Sequence, residues 1–347
     1  MNKKSIRLSM TALSIAAAGA GIPAWAQPAV QLSGLADGYV GSIRMAGDAS
    51  SRTTMGSGGM TTSWWGLKGS EDLGNGLKAG FAFTSFLRMN TGALGRFTGD
   101  TNFSRDANLW VSGDWGKITL GRWLAPNFLP TVIFNPFGDS FAFSPLVLHA
   151  NVPLFNGTKW GATTPSDTGW SSQIAYSTPN VGGLSANIHY QMRGDSSTGT
   201  GRNVGANLLY FSGPLGLAAF YENAQAGNPI LTTFADNSSR TNWMLGGSYD
   251  LKAVKLFGTY GQAKNSVTTA KATTASLGAS VPMGAGKFLA GYARTKSTAL
   301  NATRQTITIG YDYSLSKRTD LYANVMNDRI TGTTSGTSVG LGIRHAF

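Results

Sequence analysis

The sequence predicts an all-β chain, a 16-stranded antiparallel transmembrane β-barrel with its third long loop folded inward. Three observations carry the prediction. Apolar residues alternate with small or polar ones through segments of about ten residues, the length a tilted strand needs to cross a bilayer. Short, turn-forming connections alternate with long polar ones, as in an outer-membrane barrel. No stretch beyond the N-terminal region approaches about 18 uninterrupted apolar residues, which excludes transmembrane helices.

The chain starts with an export signal. Lys3, Lys4 and Arg7 form a basic region, Leu8 to Ala20 is apolar but too short to span as a helix, and Ala24-Trp25-Ala26 is a small-x-small cleavage site. Residues 1–26 are therefore expected to be removed, leaving 27–347 as one barrel domain without a linker. A membrane anchor or buried helix is the alternative for this segment. Charged residues make up 13% and glycines number 46 of 347, unlike an ordinary soluble pair of domains. There is no cysteine, which removes disulfides, thiol catalysis and cysteine zinc sites. The formal charge of +12 is scattered rather than run together, and the chain is exported, so nucleic acid is not an expected partner.

The alternation is plainest near the C-terminus. Val339, Leu341, Ile343, His345 and Phe347 share one face, and Ser338, Gly340, Gly342, Arg344 and Ala346 the other. Ile307, Ile309, Tyr311, Tyr313 and Leu315 oppose Thr306, Thr308, Gly310, Asp312 and Ser314. Trp243, Leu245, Gly247, Tyr249 and Leu251 oppose Met244, Gly246, Ser248 and Asp250. A soluble sandwich, such as an exported binding protein, would turn the apolar face inward; a membrane barrel turns it outward. The polar faces are rich in Gly, Ser, Thr and Asn and poor in Lys and Glu, unlike a soluble exterior. Tyr and Trp recur near segment ends, where amphipathic rings suit the headgroup level.

Short connections include Gly74-Asn75-Gly76, Gly116-Lys117, Gly213-Pro214 and Gly284-Ala285-Gly286. Longer polar stretches lie between them: 47–61, 90–104, 194–201, 226–239, 266–270, 298–302 and 331–335. Counting between these breaks gives about 16 strands, an even number as single-chain barrels require. Residues 125–169 are exceptional in length and in apolar content, with Phe141, Phe143, Leu146, Val147 and Leu148. Such a loop is usually functional. Folded into the lumen, it would have a wall to pack against; a surface flap is the alternative.

Several stretches, in order, resemble the trimeric general porins of β-proteobacteria, across essentially the whole exported chain. They are Gly66-Leu67-Lys68-Gly69-Ser70-Glu71-Asp72-Leu73-Gly74, the run from Val111 through Asp114-Trp115-Gly116-Lys117 to Gly121-Arg122, the run Tyr313 to Ala323, and the terminal Gly342-Ile343-Arg344-His345-Ala346-Phe347. The resemblance implies a homotrimer in the outer membrane of a Gram-negative bacterium, surrounded by lipid and lipopolysaccharide. It implies passive passage of small hydrophilic solutes and ions without cofactor or turnover. It also implies a C-terminal Phe347 read by the barrel assembly machinery. In the family the third loop narrows the pore and sets acidic groups against a basic wall. Pro136-Phe137-Gly138 matches its tip, Asp139 the acidic side, and Lys68 and Arg122 the basic side; a transverse field of this kind filters ions.

The chain departs from the family pattern at Trp64, where an arginine is common, and at Ala82 and Thr84, where polar or acidic lumen groups are common. With the apolar loop, these changes point to a substrate-selective channel as the rival on the same fold. Lys68, Arg193 and Arg344 are expected in the lumen and predict a modest anion preference. Strict alternation turns Arg122 toward lipid, a costly place for charge. A bulge at Gly121, a position beyond the apolar band, or a register slip would each resolve the conflict.

No catalytic or metal constellation emerges. His149, His189 and His345 are scattered without ligand spacing, and Glu71-Asp72 lacks the ordered acidic spacing of a calcium loop. His149 falls in the inner loop, His189 on a lumen face and His345 on the lipid face.

Overall fold

The computed structural model describes residues 30–150, 167–193, 201–228 and 238–347. The export segment 1–26 and parts of the connections 125–169, 194–201 and 226–239 lie outside the described residues. The strands are β1 (Gln31–Ile43), β2 (Arg52–Ser57), β3 (Trp64–Gly74), β4 (Leu77–Arg88), β5 (Ala93–Leu94), β6 (Asp106–Gly113), β7 (Gly116–Leu124), β8 (Gly169–Ser177) and β9 (Leu184–Gln191). They continue with β10 (Asn203–Ser212), β11 (Leu215–Ala224), β12 (Arg240–Asp250), β13 (Lys255–Asn265), β14 (Lys271–Met283), β15 (Gly286–Ser297), β16 (Ala302–Ser314), β17 (Thr319–Ile330) and β18 (Gly336–Ala346).

Sixteen of these form a closed antiparallel barrel; β2 and β5 are short additions within long loops. Each wall strand pairs with its sequence neighbour, and β18 returns to β1 with Ser42 opposite Val339 and Leu35 opposite Ala346. The seam runs to the last residue, since Phe347 N–H donates to Gly34 O at 3.0 Å and Gly34 N–H to Phe347 O at 3.1 Å. Closure leaves no free sheet edge. On its other side β1 meets β3 along Gln31–Leu35 and β2 along Gly38–Ile43. The short turns tighten through left-handed residues such as Asn75 (φ 52°) and Lys252 (φ 67°).

The apolar face of the alternation points out of the barrel. Leu341 and Ile309 are each 58% exposed while their neighbours Gly340, Thr308 and Gly310 are buried. A soluble sandwich would reverse this. The interior is polar along the strands, yet apolar clusters also occur there. Phe134 packs on Leu209 and Ala218, Phe143 on Leu148 and Met326, and Leu146 on Phe220 and Met244. In each, the loop between β7 and β8 supplies the ring or aliphatic group that the wall covers. That loop, residues 125–168 and here called L3, lies inside the barrel in its described part.

Candidate functional site

L3 is built from two short helices, α1 (Phe128–Ile133) and α2 (Pro145–Ala150), joined by a tight turn. Asn135 closes the turn. Its side-chain amide donates to Thr131 O at 2.8 Å and Gly138 O at 2.9 Å, and its carbonyl accepts from Phe137 N–H and from the Ser144 hydroxyl, both at 2.9 Å. Gly138 sits at φ 55°, a conformation that favours glycine. Pro145 opens α2, where its missing N–H costs nothing, and the Ser144 hydroxyl accepts from Val147 N–H at 3.4 Å.

Four wall glycines make room for the loop. A Cβ on Gly246 would stand 3.1 Å from Phe134, on Gly278 2.5 Å from Pro136, on Gly291 3.1 Å from Phe137, and on Gly340 2.5 Å from Phe143. A side chain at Gly278 or Gly340 would collide with the loop, and one at Gly246 or Gly291 would make its ring give by a few tenths of an ångström. Polar bonds hold its length. His149 is fully buried with Nδ1 2.8 Å from Thr295 Oγ1 and Nε2 2.8 Å from Thr306 Oγ1. Arg304, paired with Asp328 at 2.8 Å, donates to Leu148 O, and the Thr308 hydroxyl donates to Phe143 O. The Ser140 hydroxyl donates to Gly59 O at 2.6 Å. Burial, then the Arg304 charge, holds the His149 imidazole well below its ordinary pKa, so it is neutral in place.

The described part of L3 packs on the β10–β18 side and leaves space against β3–β7. There the chain forms a chamber of about 270 Å³ whose lining includes Trp64, Phe86, Phe128, Phe141, Arg105 and Arg122. A second space of about 260 Å³ follows on the same wall, with Lys68, Lys117, Asp106, Asn108 and Trp123 among its lining. Trp64 stands between them. Arg105 lies over its ring at 4.0 Å and the Lys68 ammonium at 5.5 Å.

The residues singled out from sequence take different positions. Lys68 lines the second space, and among the described residues no carboxylate lies within ion-pair distance of it or of Lys117. Arg122 turns inward. The pairing of β7 with β8 shifts register between Gly121 and Trp123, with Gly121 at φ 114° and Ser172 at φ 48°, which is the bulge, the first of the three resolutions the alternation left open. Its guanidinium donates to Ser104 O, Gly169 O, the Ser171 hydroxyl and Asp167, the last at 3.2 Å. Asp139 lies against Thr61 at the edge of the first chamber. Burial dominates and raises its pKa, while Thr61, Arg344 and Arg105 pull the other way. Phe137 does not face the lumen; it is buried with Met60, Leu289 and Tyr322 and anchors the loop. Arg344 points inward but is engaged by Asp320, Asp312 and Thr61. Arg193 is exposed just beyond β9. His189 is buried inside the barrel, stacked on Trp123 with centroids 5.4 Å apart, and His345 is exposed beside Thr319.

Sequence reasoning missed Asp167. It binds Arg122 and, at 2.6 Å, Arg96, which also pairs with Asp100 at 2.9 Å. Burial opposes the Arg96 charge, but Asp167 and Asp100 outweigh it and hold its pKa above the usual arginine value. The four residues tie the loop after β4 to the end of L3 and to β7.

The profile of the Gram-negative porin family matches residues 11–333. The chain is a Gram-negative porin. It is 31% identical over 371 residues to outer membrane porin protein 32 of Delftia acidovorans, covering 99% of this chain and all of that one. An outer membrane porin of Bordetella pertussis is 27% identical over 86% of this chain and 85% of its own. Among solved structures, an anion-selective porin from Comamonas acidovorans shares 28% identity with a TM-score of 0.78, covering 92% of this porin and the whole of that chain. A loop L8 deletion mutant of Vibrio cholerae OmpT, at 17% identity and a TM-score of 0.67, shares the fold. The porin is accordingly an outer-membrane channel of a Gram-negative bacterium.

Proposed function

We propose that this porin passes small hydrophilic solutes and ions along the β3–β7 side of its lumen, with a modest preference for anions. The observation that carries the reading is the pair Lys68 and Lys117. Among the described residues no carboxylate stands within ion-pair distance of either on the β3–β7 wall, where Asp106 is taken up by Arg105, whereas Arg122, Arg96 and Arg344 are neutralised by carboxylates. The constriction comprises Lys68, Arg122, Asp139 and Trp64 at its surface, with Phe137 acting from behind by fixing the loop. Flow is passive and needs no cofactor. The chain is exported with loss of residues 1–26, is recognised through Phe347 by the assembly machinery, and works as a homotrimer in lipid and lipopolysaccharide. A trimeric relative in Vibrio cholerae supports the assembly, as do the outward rings of Phe81, Phe83 and Phe103 packed along one face.

Planar-bilayer conductance under a salt gradient tests the reading. Stepwise openings in threes, with a zero-current potential of the sign set by anions, are expected. No conductance from folded barrel would refute it. A substrate-selective channel is the second reading, favoured by the aromatic chamber at Trp64 and the arginine stacked on it. Saturable, competable block by one aromatic or weakly polar solute would distinguish it from a general pore.

A further inference from the structure

The wall strand that follows β1 is interrupted. β1 pairs with β2 as far as Gly38 opposite Ser57, and with β3 from Leu35 opposite Trp64. Between these points β1 has only Ala36 and Asp37, while the facing chain has residues 58–63. Two positions face six, so four residues are surplus. An even surplus leaves the alternation of faces unbroken: Met55 and Trp65 on either side are both exposed outward, and Trp64 lines the chamber. The surplus folds into the lumen. Met60 is buried on Phe137, Leu289 and Tyr322, and its sulfur accepts from Asn324 Nδ2 at 3.3 Å. Thr61 and Thr62 line the first chamber. Gly58 turns the chain at φ 77°, and a Cβ on Gly59 would collide with the Tyr322 hydroxyl.

A chain that leaves its ladder needs other partners for its N–H groups. Asp37, fully buried, supplies them. Its carboxylate accepts from Gly59 N–H at 2.9 Å, from Met60 and Thr61 N–H at 2.8 Å each, and from the Tyr322 hydroxyl. Its backbone holds both roots of the excursion. Gly58 N–H donates to Asp37 O at 2.9 Å, and the Ser63 hydroxyl accepts from Asp37 N–H and donates to Asp37 O, both at 2.9 Å. The excursion in turn holds the turn of L3. Ser140 donates to Gly59 O at 2.6 Å, and the Thr61 hydroxyl bonds Asp139 while accepting from Arg344 at 2.9 Å. Ordering four residues away from the ladder costs conformational entropy. An uninterrupted strand would close the barrel without that cost, so what the excursion adds lies on the lumen side.

We propose that residues 59–62 form a second jaw of the constriction, set against the turn of L3, and that Asp37 is the residue that positions it. The jaw narrows the first chamber with Thr61 and Thr62 and seats Phe137 through Met60. Pore width decides which solutes pass, so the jaw determines specificity by size. It has this role only if the lumen conducts as proposed above, and the measurements below separate the two.

The test is a double-mutant cycle read in planar bilayers. Deleting residues 59–62 leaves Gly58 and Ser63 opposite Asp37 and Ala36, one for one, so the ladder closes without a gap. The folded deletion variant is expected to show a higher single-channel conductance and to admit larger polyethylene glycols than wild type. Asp37→Ala keeps the four residues but releases them, and should raise open-channel noise. In the deletion background Asp37→Ala should add nothing, because the segment it positions is gone. The same added noise in both backgrounds would overturn the positioning role of Asp37. The chain has no cysteine, so Thr62→Cys puts a single thiol on the full-length jaw. A charged methanethiosulfonate should then cut conductance in steps, a result that does not depend on the folding of the other variants. Wild-type conductance and polymer cut-off in the folded deletion variant, or labelling of the thiol without loss of current, would overturn the jaw. A folded wild-type barrel that passes no current would instead refute the open lumen, and the jaw with it.

Discussion

Replacing Phe143 by alanine separates the barrel from its internal loop. The ring is fully buried, edge-on to Tyr39 at 5.4 Å and packed on Leu148 and Met326, directly over Gly340. Losing a buried phenylalanine costs about 3–5 kcal/mol. Here that loss falls on the loop, because the wall strands are held by their own backbone ladder. At about 1.4 kcal/mol per factor of ten, docking weakens by ~100-fold or more. The barrel should remain folded and heat-modifiable on gels, while single-channel conductance rises and becomes noisy as L3 leaves the wall. The opposite perturbation gives an independent check. Gly340→Leu leaves Phe143 in place but removes its seat, since even the Cβ would stand 2.5 Å from the ring; overpacking of this kind costs about 1–3 kcal/mol. Both variants should shift conductance the same way. Folded barrel with wild-type conductance and noise in both would refute the idea that these contacts hold the constriction.

Other outcomes follow from the same geometry. Arg122→Ala leaves Asp167 without one of its two guanidinium partners and empties four hydrogen bonds, so thermal unfolding should fall by the equivalent of about 3 kcal/mol. Lys68→Glu reverses a charge that has no ion-pair partner among the described residues, beside Lys117, and should move the zero-current potential toward cations, whereas Lys317→Glu on an exposed turn should not. Acid should loosen L3. His149 is held below its ordinary value of 6.5, so its contribution to docking is full above that pH and is lost as pH falls through it, when the undocked imidazole takes up a proton. Channel noise should grow on acidification, and His149→Gln should flatten that dependence.

The barrel was legible because membrane strands repeat one physical demand. Each outward residue must be apolar and each inward one need only be small or polar, so Ile307 and Ile309, or Val339 and Leu341, announce their side. The short strand β2 was not legible within the polar stretch 47–61. It pairs with β1 from Gly38 to Ile43, and Arg52–Ser57 shows no apolar alternation. Inside the barrel the sequence signal is weaker, since Gly246, Gly278, Gly291 and Gly340 look like ordinary small lumen residues until the rings above them are seen. Asp167 was hidden for a different reason. Its partner Arg96 is 71 positions away, and no local pattern links the two. The motif Pro136-Phe137-Gly138 was recognisable, but the orientation of Phe137 depended on strands that come much later in the chain.

Those later strands bear on the order of assembly. The seats for Phe134, Pro136, Phe137 and Phe143 belong to β12, β14, β15 and β18, roughly 110 to 200 positions further along. Until the last strand has zipped onto β1, Phe143 has no complete pocket, and the apolar flank of L3 is uncovered inside an unfinished sheet. Loop docking is therefore a late event, tied in time to the zipping of the seam. A nascent barrel stalled before that step would present a greasy inner segment to the periplasm, the kind of surface that chaperones and proteases there are suited to detect.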